Sequence, residues 1–273
     1  MQSAGRPDHV ASPSKRARYS RRMSVKSLLR AAQSSAPWIR PLKFEAYNFA
    51  TRTFGWHIEP EFHLLSRIGD VSLALDVGGN WGQSIEALKR TIPGARIISF
   101  EPNPLLAGRL DEKFAGDAAV TVERYALAVT AGRFTLYIPT YRGYIYDGLA
   151  SLSREEAENW FTRERFAGFD PTKLTIDAVD VETRTLDSLG FAPDVIKVDV
   201  QGAESLMVQG GARTLETCRP TVIMEAPDEA LVDRLGRIGL NAYYYDGNAL
   251  LDWRKNTNNV IFLSEEHRFR VGL

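Results

Sequence analysis

A buried strand that runs directly into a glycine-rich turn is the feature that most restricts how this chain can fold. Residues 73–84 read LALDVGGNWGQS, in which an aliphatic run ends at Asp76 and three glycines follow before residue 83. Glycine costs backbone entropy and adds no packing, so a cluster of glycines indicates a sharp turn or a close approach of the backbone to another group. The stretch predicts a strand, a tight turn and then a helix.

Apolar runs and segments with helical spacing alternate along most of the chain. The predicted strands lie at 71–77, 95–102, 119–129 (as one strand or a pair), 132–139, within 172–190, at 195–200, 220–226 and 258–264, with a hairpin at 241–253. The predicted helices lie near 60–68, at 81–92 and 104–116, from about 203, and at 228–240. Short links in a β-α-β-α-β order are typical of a parallel sheet wound by right-handed crossovers, so we expect an α/β fold.

Charge divides the 273-residue chain into unequal parts. The whole chain has 34 basic and 34 acidic residues, but residues 1–43 hold ten Lys or Arg against Asp8 alone. We expect 1–43 to be a basic, flexible leader, which has no apolar core of a secretory signal, 44–70 a helical cap segment, and 71–273 the catalytic domain. The sequence contains no run of about 18 apolar residues, the length that would predict a membrane span. Cys218 is the only cysteine, which favours a reducing cytoplasmic location and a buried, inert thiol.

Two acids mark the ends of the first two predicted strands. Asp76, Gly78 and Gly82 have the spacing Asp-x-Gly-x-x-x-Gly, which differs from the G-x-G-x-x-G of dinucleotide sites. Such a turn suits a nucleoside cofactor with an amino-acid tail, and Glu101 in IISFEPNP is placed to accept both ribose hydroxyls. We therefore expect S-adenosylmethionine (SAM) as the cofactor. The predicted cofactor-binding residues are Asp76, Gly78, Gly79, Asn80, Gly82, Gln83 and Ser84 around the methionine part, Glu101, Pro102 and Asn103 near the ribose, and Tyr125 and Ala126 at the adenine.

An ordered set of motifs resembles the FkbM-type methyltransferases. The motifs are DVGGNWG at 76–82, FEPNP at 100–104, TLDSL at 185–189, KVDVQGAE at 197–204 with GA at 211–212, and NVIF at 259–262. The chain departs from the family pattern at Gln201, where a Glu is usual, and in the turn at residues 79–81. The resemblance implies a Rossmann-like class I methyltransferase sheet, mostly parallel with an antiparallel C-terminal strand and helices on both faces. It also implies transfer of methyl to a hydroxyl oxygen of a sugar or natural product.

Transfer to a neutral hydroxyl needs a base or an orienting group beside the cofactor. Asp199, at the end of a strand facing the cleft, is the first candidate and Glu204 the second, with a favourable helix N-terminal charge as its structural alternative. Lys197 is expected to act as an ion-pair partner. Asp199 and Glu225 could share a divalent ion, but no ligand spacing requires one, and no metal is expected.

The acceptor-site candidates are Tyr144, Ser151 and Glu225. Tyr144 belongs to a tyrosine cluster that suits either ring stacking or a core, and His57 and His63 are interpreted as structural. The expected partner is a small-molecule or glycan acceptor, and the oligomeric state stays open.

Three alternatives stay open. A nucleic-acid methyltransferase would use the basic leader, although nucleic acid is the less favoured partner. A nicotinamide dehydrogenase is disfavoured by the glycine spacing. A non-catalytic module that keeps the fold is the third, because Gln201 replaces a carboxylate.

Overall fold

A computed structural model describes residues 39–162, 165–166, 168–200, 202–255, 257 and 259–272. Most of the predicted leader and Gln201 lie outside the described residues. The first described helix, α1, spans Ile39–Phe54 and so begins before residue 44, where ordered structure was expected to start. A 3₁₀ helix at Pro60–Arg67 follows, at the position where the sequence predicted a helix.

An eight-stranded sheet forms the centre of the protein. In chain order its strands are β1 (Leu73–Val77), β2 (Arg96–Phe100), β3 (Val120–Glu123), β8 (Val195–Val198), β9 (Thr221–Glu225), β10 (Asn241–Tyr245), β11 (Leu250–Asp252) and β12 (Asn259–Leu263). Their spatial order is β11-β10-β12-β9-β8-β1-β2-β3. Strands β3, β2, β1, β8 and β9 run parallel, whereas β12 is antiparallel to both β9 and β10. The predicted sheet, mostly parallel with an antiparallel C-terminal strand, is confirmed.

Helices cover both faces of this sheet. They are α2 (Gln83–Thr91), α3 (Pro104–Phe114), α5 (Leu186–Leu189), α6 (Glu204–Gly210), α7 (Ala212–Cys218), α8 (Glu229–Arg237) and α9 (Glu265–Val271). A further helix, α4 (Arg154–Asn159), contacts the two long strands of the second sheet, which is described below. Successive strand residues face opposite sides, so Ala74 joins one hydrophobic cluster with α2 while Leu75 joins another with α6. The two clusters give a core on each side of the sheet.

A second sheet of four strands lies between β3 and β8 in the chain. It contains β4 (Ala126–Leu127), β5 (Gly132–Tyr141), β6 (Tyr144–Ile145) and β7 (Leu174–Arg184), in the order β4-β7-β5-β6. β5 and β7 pair antiparallel over ten residues. The predicted strand at 119–129 is therefore divided, with β3 in the central sheet and β4 in the second. Two short 3₁₀ turns, Asp147–Leu149 and Pro171–Lys173, complete this region.

The carboxyl ends of β1, β2, β8 and β9 meet at one edge, as parallel strands require. The turn after β1 is attached to β2 because the Gly78 and Gly79 amides both donate to the Phe100 carbonyl, at 2.9 and 3.3 Å. Asp199 is attached to β1 through its amide, which donates to the Val77 carbonyl at 2.9 Å. Glu101, Asp199 and Glu225 thus stand along one edge of the sheet, where ligands bind in open α/β folds.

Candidate active site

The glycine turn after β1 is required by close chain crossings. Gly78 has φ of 93°, and a Cβ there would overlap the carbonyl oxygen of Asp199. A Cβ on Gly79 would overlap the Ser99 hydroxyl, and one on Gly82 would lie 3.1 Å from the Leu110 side chain. The sequence analysis expected Gly78 and Gly79 to leave room for a cofactor. The structure gives a second reason for glycine at these positions, because β1, β2 and β8 converge here.

Glu101 joins the glycine turn to the loop after β2. The side chain is 5% exposed, and its two carboxylate oxygens accept from the backbone amides of Asn80 at 2.8 Å and Asn103 at 2.9 Å. Asn80 has φ of 47°, a left-handed conformation that Asn tolerates better than most residues. Burial raises the pKa of Glu101 to about 7, although both amide hydrogen bonds oppose the rise. Each oxygen keeps a further acceptor position for a ligand hydroxyl.

A cleft opens beside Glu101, between the edge of the central sheet and the second sheet, with about 680 Å³ of empty space when the open solvent at its mouth is included. Its polar lining comes from Asn80, Glu101, Asp147, Ser151 and Asp199. The remaining lining includes the apolar residues Val77, Phe100, Pro102, Leu106, Ala126, Leu127, Leu136, Ala150, Leu152, Val200 and Ala203. We call it the central cleft.

Asp147 and Gly148 are site residues that the sequence analysis missed. Asp147 is buried, forms an ion pair with Arg109, and its carbonyl accepts from the Asn103 side chain at 3.1 Å. A Cβ on Gly148 would lie 3.0 Å from the Asn80 side-chain oxygen. The Asp-Gly pair in an otherwise irregular stretch was the available signal, because it marks a turn.

Three charged groups converge where β8 and β9 end. Lys197 Nζ lies 3.1 Å from Asp199 Oδ2, which agrees with the ion-pair role expected for Lys197. Burial lowers the pKa of Lys197, but attraction to Asp199 and to Asp76 outweighs it, so the pKa is raised overall. Glu225 is hydrogen-bonded to Asp199, and burial together with repulsion by Asp199 raises the pKa of Glu225 to about 7. The Glu225 carboxyl therefore titrates near neutral pH, above the usual range of a carboxyl.

A second cleft, with a cavity volume of about 450 Å³, continues from the central cleft past Ser151, which lines both. The rest of its lining is Leu149, Glu156, Asn159, Trp160, Arg165, Gly202, Glu204, Glu225 and Ala226. The Ser151 hydroxyl donates to Glu156 at 2.8 Å, and the Glu204 carboxylate accepts from the Gly202 amide at 3.1 Å. We call it the outer cleft. It brings together three predicted residues, Ser151, Glu204 and Glu225.

A third cavity, with a volume of about 180 Å³, also adjoins the glycine turn. It shares Gly78, Asn80 and Asp199 with the central cleft and is further lined by His57, Glu59, Phe62, Gly79, Gln83, Ser84, Ala87 and Lys197. We call it the turn cavity. All three spaces therefore meet near Asp199 and Glu225.

Four predicted side chains lie outside the linings of these spaces. Asp76 is fully buried beneath the turn and accepts from the Ser99 hydroxyl at 2.7 Å, and burial raises its pKa. Asn103 caps α3, since its side chain accepts from the Leu105 amide. These two residues position the loops rather than face the cleft.

The two tyrosines are directed elsewhere by packing. The Tyr125 ring lies 5.6 Å from the Phe100 ring, with the Arg184 guanidinium over it, so only Ala126 of the predicted adenine pair lines the central cleft. Tyr144 packs at 5.0 Å against Tyr146, in an aromatic cluster of the second sheet. Gly82, the residue before α2, likewise serves the turn and its packing.

Across the described part of the chain, no group of three or more His, Cys, Asp and Glu side chains is arranged to hold a metal ion. None of the described helices is long and apolar enough to cross a membrane.

Comparison with known proteins identifies the family. Residues 76–253 match the Methyltransferase FkbM domain. The chain belongs to the FkbM methyltransferase family. This range covers the glycine turn, Glu101, Asp199 and Glu225, so the resemblance seen in the sequence motifs is confirmed, and the protein is a SAM-dependent methyltransferase.

Individual relatives of this FkbM methyltransferase are distant. A curated relative, 2-O-methyltransferase NoeI of Sinorhizobium fredii, is 29% identical over 173 residues, which cover 62% of this chain and 68% of the relative. Among solved structures, methyltransferase FkbM from Methylobacillus flagellatus KT is 15% identical with a TM-score of 0.46. That match covers 81% of this chain but only half of the other. The O-methyltransferase TomG from Streptomyces achromogenes, solved in complex with SAM, is 12% identical with a TM-score of 0.37, covering 81% of this chain and 89% of TomG.

Proposed function

We propose that this enzyme transfers methyl from SAM to a hydroxyl oxygen of a sugar, a glycan or a natural-product small molecule. The observation that carries the proposal is the junction of Lys197, Asp199 and Glu225, near which the central cleft meets the outer cleft. A hydroxyl is a weak nucleophile, so a carboxylate at the meeting point of the two substrates is the group this reaction needs.

The central cleft fits SAM by the chemistry of its donors and acceptors. Glu101 presents acceptor positions for the two ribose hydroxyls, and Ala126, Leu127 and Leu136 supply an apolar surface for adenine. The backbone at Gly78 and Asn80 passes close to the position that we propose for the sulfonium. Bound SAM supplies an electrophilic methyl group on sulfur. The protein must hold the acceptor oxygen in line with that methyl group and exclude water.

We propose that Asp199 takes the proton from the hydroxyl group of the acceptor substrate. Lys197 beside it favours the ionised carboxylate, and the hydrogen bond with Glu225 fixes the orientation of the Asp199 carboxyl group. Ala226, directly after Glu225, has φ of 42°, a strained angle of a kind often found at functional sites. Glu204 lies farther along the outer cleft, with its carboxylate on the Gly202 amide, so we assign it to acceptor binding rather than to proton transfer.

The outer cleft suits a polyhydroxylated acceptor. Its carboxylates from Glu156, Glu204 and Glu225 can only accept hydrogen bonds when ionised, and sugar hydroxyls donate them. Trp160 gives an apolar ring, on which Arg165 stacks at 4.1 Å. An acidic lining opposes a polyanion, which is why we favour a glycan or small molecule over nucleic acid. The name of the NoeI relative, a 2-O-methyltransferase, agrees with transfer to oxygen.

With Cys218 as the only cysteine, we further propose a cytoplasmic site of action.

The test is transfer of radiolabelled methyl from SAM to a panel of neutral oligosaccharides, phenols, tRNA and duplex DNA. We expect labelled oligosaccharide or phenol, and we expect Asp199→Asn to lower kcat at least about 100-fold while binding of S-adenosylhomocysteine (SAH) is retained. Label in nucleic acid alone would contradict the proposed acceptor class. SAH binding without transfer to any acceptor would favour a non-catalytic module.

A further inference from the structure

The turn cavity contains a carboxylate that the methyl-transfer chemistry does not use. Glu59 lies between α1 and the 3₁₀ helix Pro60–Arg67, outside the range that matches the FkbM domain. It lines the cavity together with Gly78, Asn80 and Ser84 of the glycine turn. The segment before β1 therefore closes one side of the cofactor region.

The position of Glu59 is fixed by its neighbours in the chain. The 3₁₀ helix that follows is anchored in the core, since Phe62 and Leu65 are each at most 2% exposed. Before Glu59, His57 adopts a φ of 62° and its ring stacks on Tyr47 at 4.5 Å. Pro60 follows Glu59 directly and restricts the backbone of Glu59 to an extended conformation. Glu59 is thus held at the cavity by ordered structure on both sides.

The carboxylates that line the turn cavity, Glu59 and Asp199, outnumber its one lining cation, Lys197. Lys197 is already neutralised by Asp199 at 3.1 Å and by the buried Asp76. The exposed Glu59 carboxylate makes no hydrogen bond or ion pair with the described residues, yet its charge acts on both Lys197 and Glu225. One carboxylate is left facing the cavity, and a cationic group is its natural complement.

We infer that Glu59 binds the ammonium group of the methionine tail of SAM and of SAH. This inference rests on the proposed placement of the cofactor in the central cleft. With the ribose on Glu101, the tail continues past Asn80 and Gly78, which line both the central cleft and the turn cavity. The outer cleft, which shares no lining residue with the turn cavity, then remains open for the acceptor.

The test compares two ligands by calorimetric titration of the full-length chain. SAH carries the amino-acid tail, whereas 5′-methylthioadenosine keeps the nucleoside and the thioether without the tail. We expect Glu59→Gln to weaken SAH about tenfold, the scale of a lost charge-assisted hydrogen bond, and to leave 5′-methylthioadenosine unchanged. Glu216→Gln, an exposed Glu on α7 that lines none of the three spaces, is the matched control and should affect neither ligand.

The outcomes separate this inference from the proposed function. Unchanged SAH affinity in Glu59→Gln, with both ligands weakened by Glu101→Gln, overturns the role of Glu59 and leaves the cofactor site standing. Tighter SAH binding in Glu59→Gln would place the carboxylate of the tail, not its ammonium, beside Glu59. Equal weakening of both ligands would indicate a structural effect. If the wild type binds neither ligand, the cofactor placement itself is wrong.

Discussion

Glu101 should make cofactor affinity depend on pH, because its carboxyl group is half protonated near pH 7. Burial raises the pKa of Glu101 to about 7, whereas ribose hydroxyls donate hydrogen bonds and therefore favour the ionised carboxylate. Binding then lowers the pKa and expels a proton. The ionised fraction of a group with this pKa is about 90% at pH 8 and about 3% at pH 5.5. If only the ionised form binds, SAH affinity should fall about 30-fold over that range.

The assay is titration calorimetry with SAH at several pH values, repeated in buffers of different ionisation enthalpy. Below pH 7 the measured enthalpy should depend on the buffer, which reports the released proton. Glu101→Gln should bind about 1–3 kcal/mol more weakly at pH 8 and show no such slope. Glu225→Gln, whose carboxyl also titrates near pH 7, should keep the slope. A flat wild-type curve, or the same slope in Glu101→Gln, would refute the reasoning.

Three further changes test separate parts of the structure. Gly78→Ala should cost at least about 2 kcal/mol of unfolding free energy in urea, because the new Cβ meets the Asp199 carbonyl. Gly94→Ala is its control, with φ of 100° and no atom within 4 Å of a Cβ, and should cost only the backbone strain, about 1–2 kcal/mol. The rate of methyl transfer should rise with pH through about 7 as Glu225 loses its proton beside Asp199, and this inflection should vanish in Glu225→Gln. Trp160→Ala should raise the KM for the acceptor and leave SAH affinity unchanged, and a loss of SAH affinity instead would place the acceptor elsewhere.

The central sheet was predictable because its strands are short apolar runs with turn residues at their ends. LALDV and VIKV are buried on both faces, so apart from Asp76 and Lys197 they are apolar at every position and can be recognised without knowing their partners. The second sheet was harder, since β5 and β7 are half-exposed and pair across a separation of more than 30 residues. No local pattern indicates that β4 leaves the central sheet after residue 123.

The residues of the candidate site likewise divide into those that the sequence predicts and those that only the folded structure reveals. Glu101 and Asp199 were predicted because each stands at a strand end, where the α/β fold itself directs residues toward a ligand. Asp147 and Glu59 come from connecting segments, and only the folded chain brings them to Asn80. The sequence does not show which way the Tyr125 side chain points, and in the folded chain its ring packs on Phe100.

The measurement that tests the account most directly is the crystal structure of the SAH complex. We predict the ribose hydroxyls within hydrogen-bond distance of the Glu101 carboxylate, the adenine against Leu127 and Leu136, and the sulfur facing Asp199. Nucleoside density in the outer cleft, or a ribose that does not touch Glu101, would contradict it.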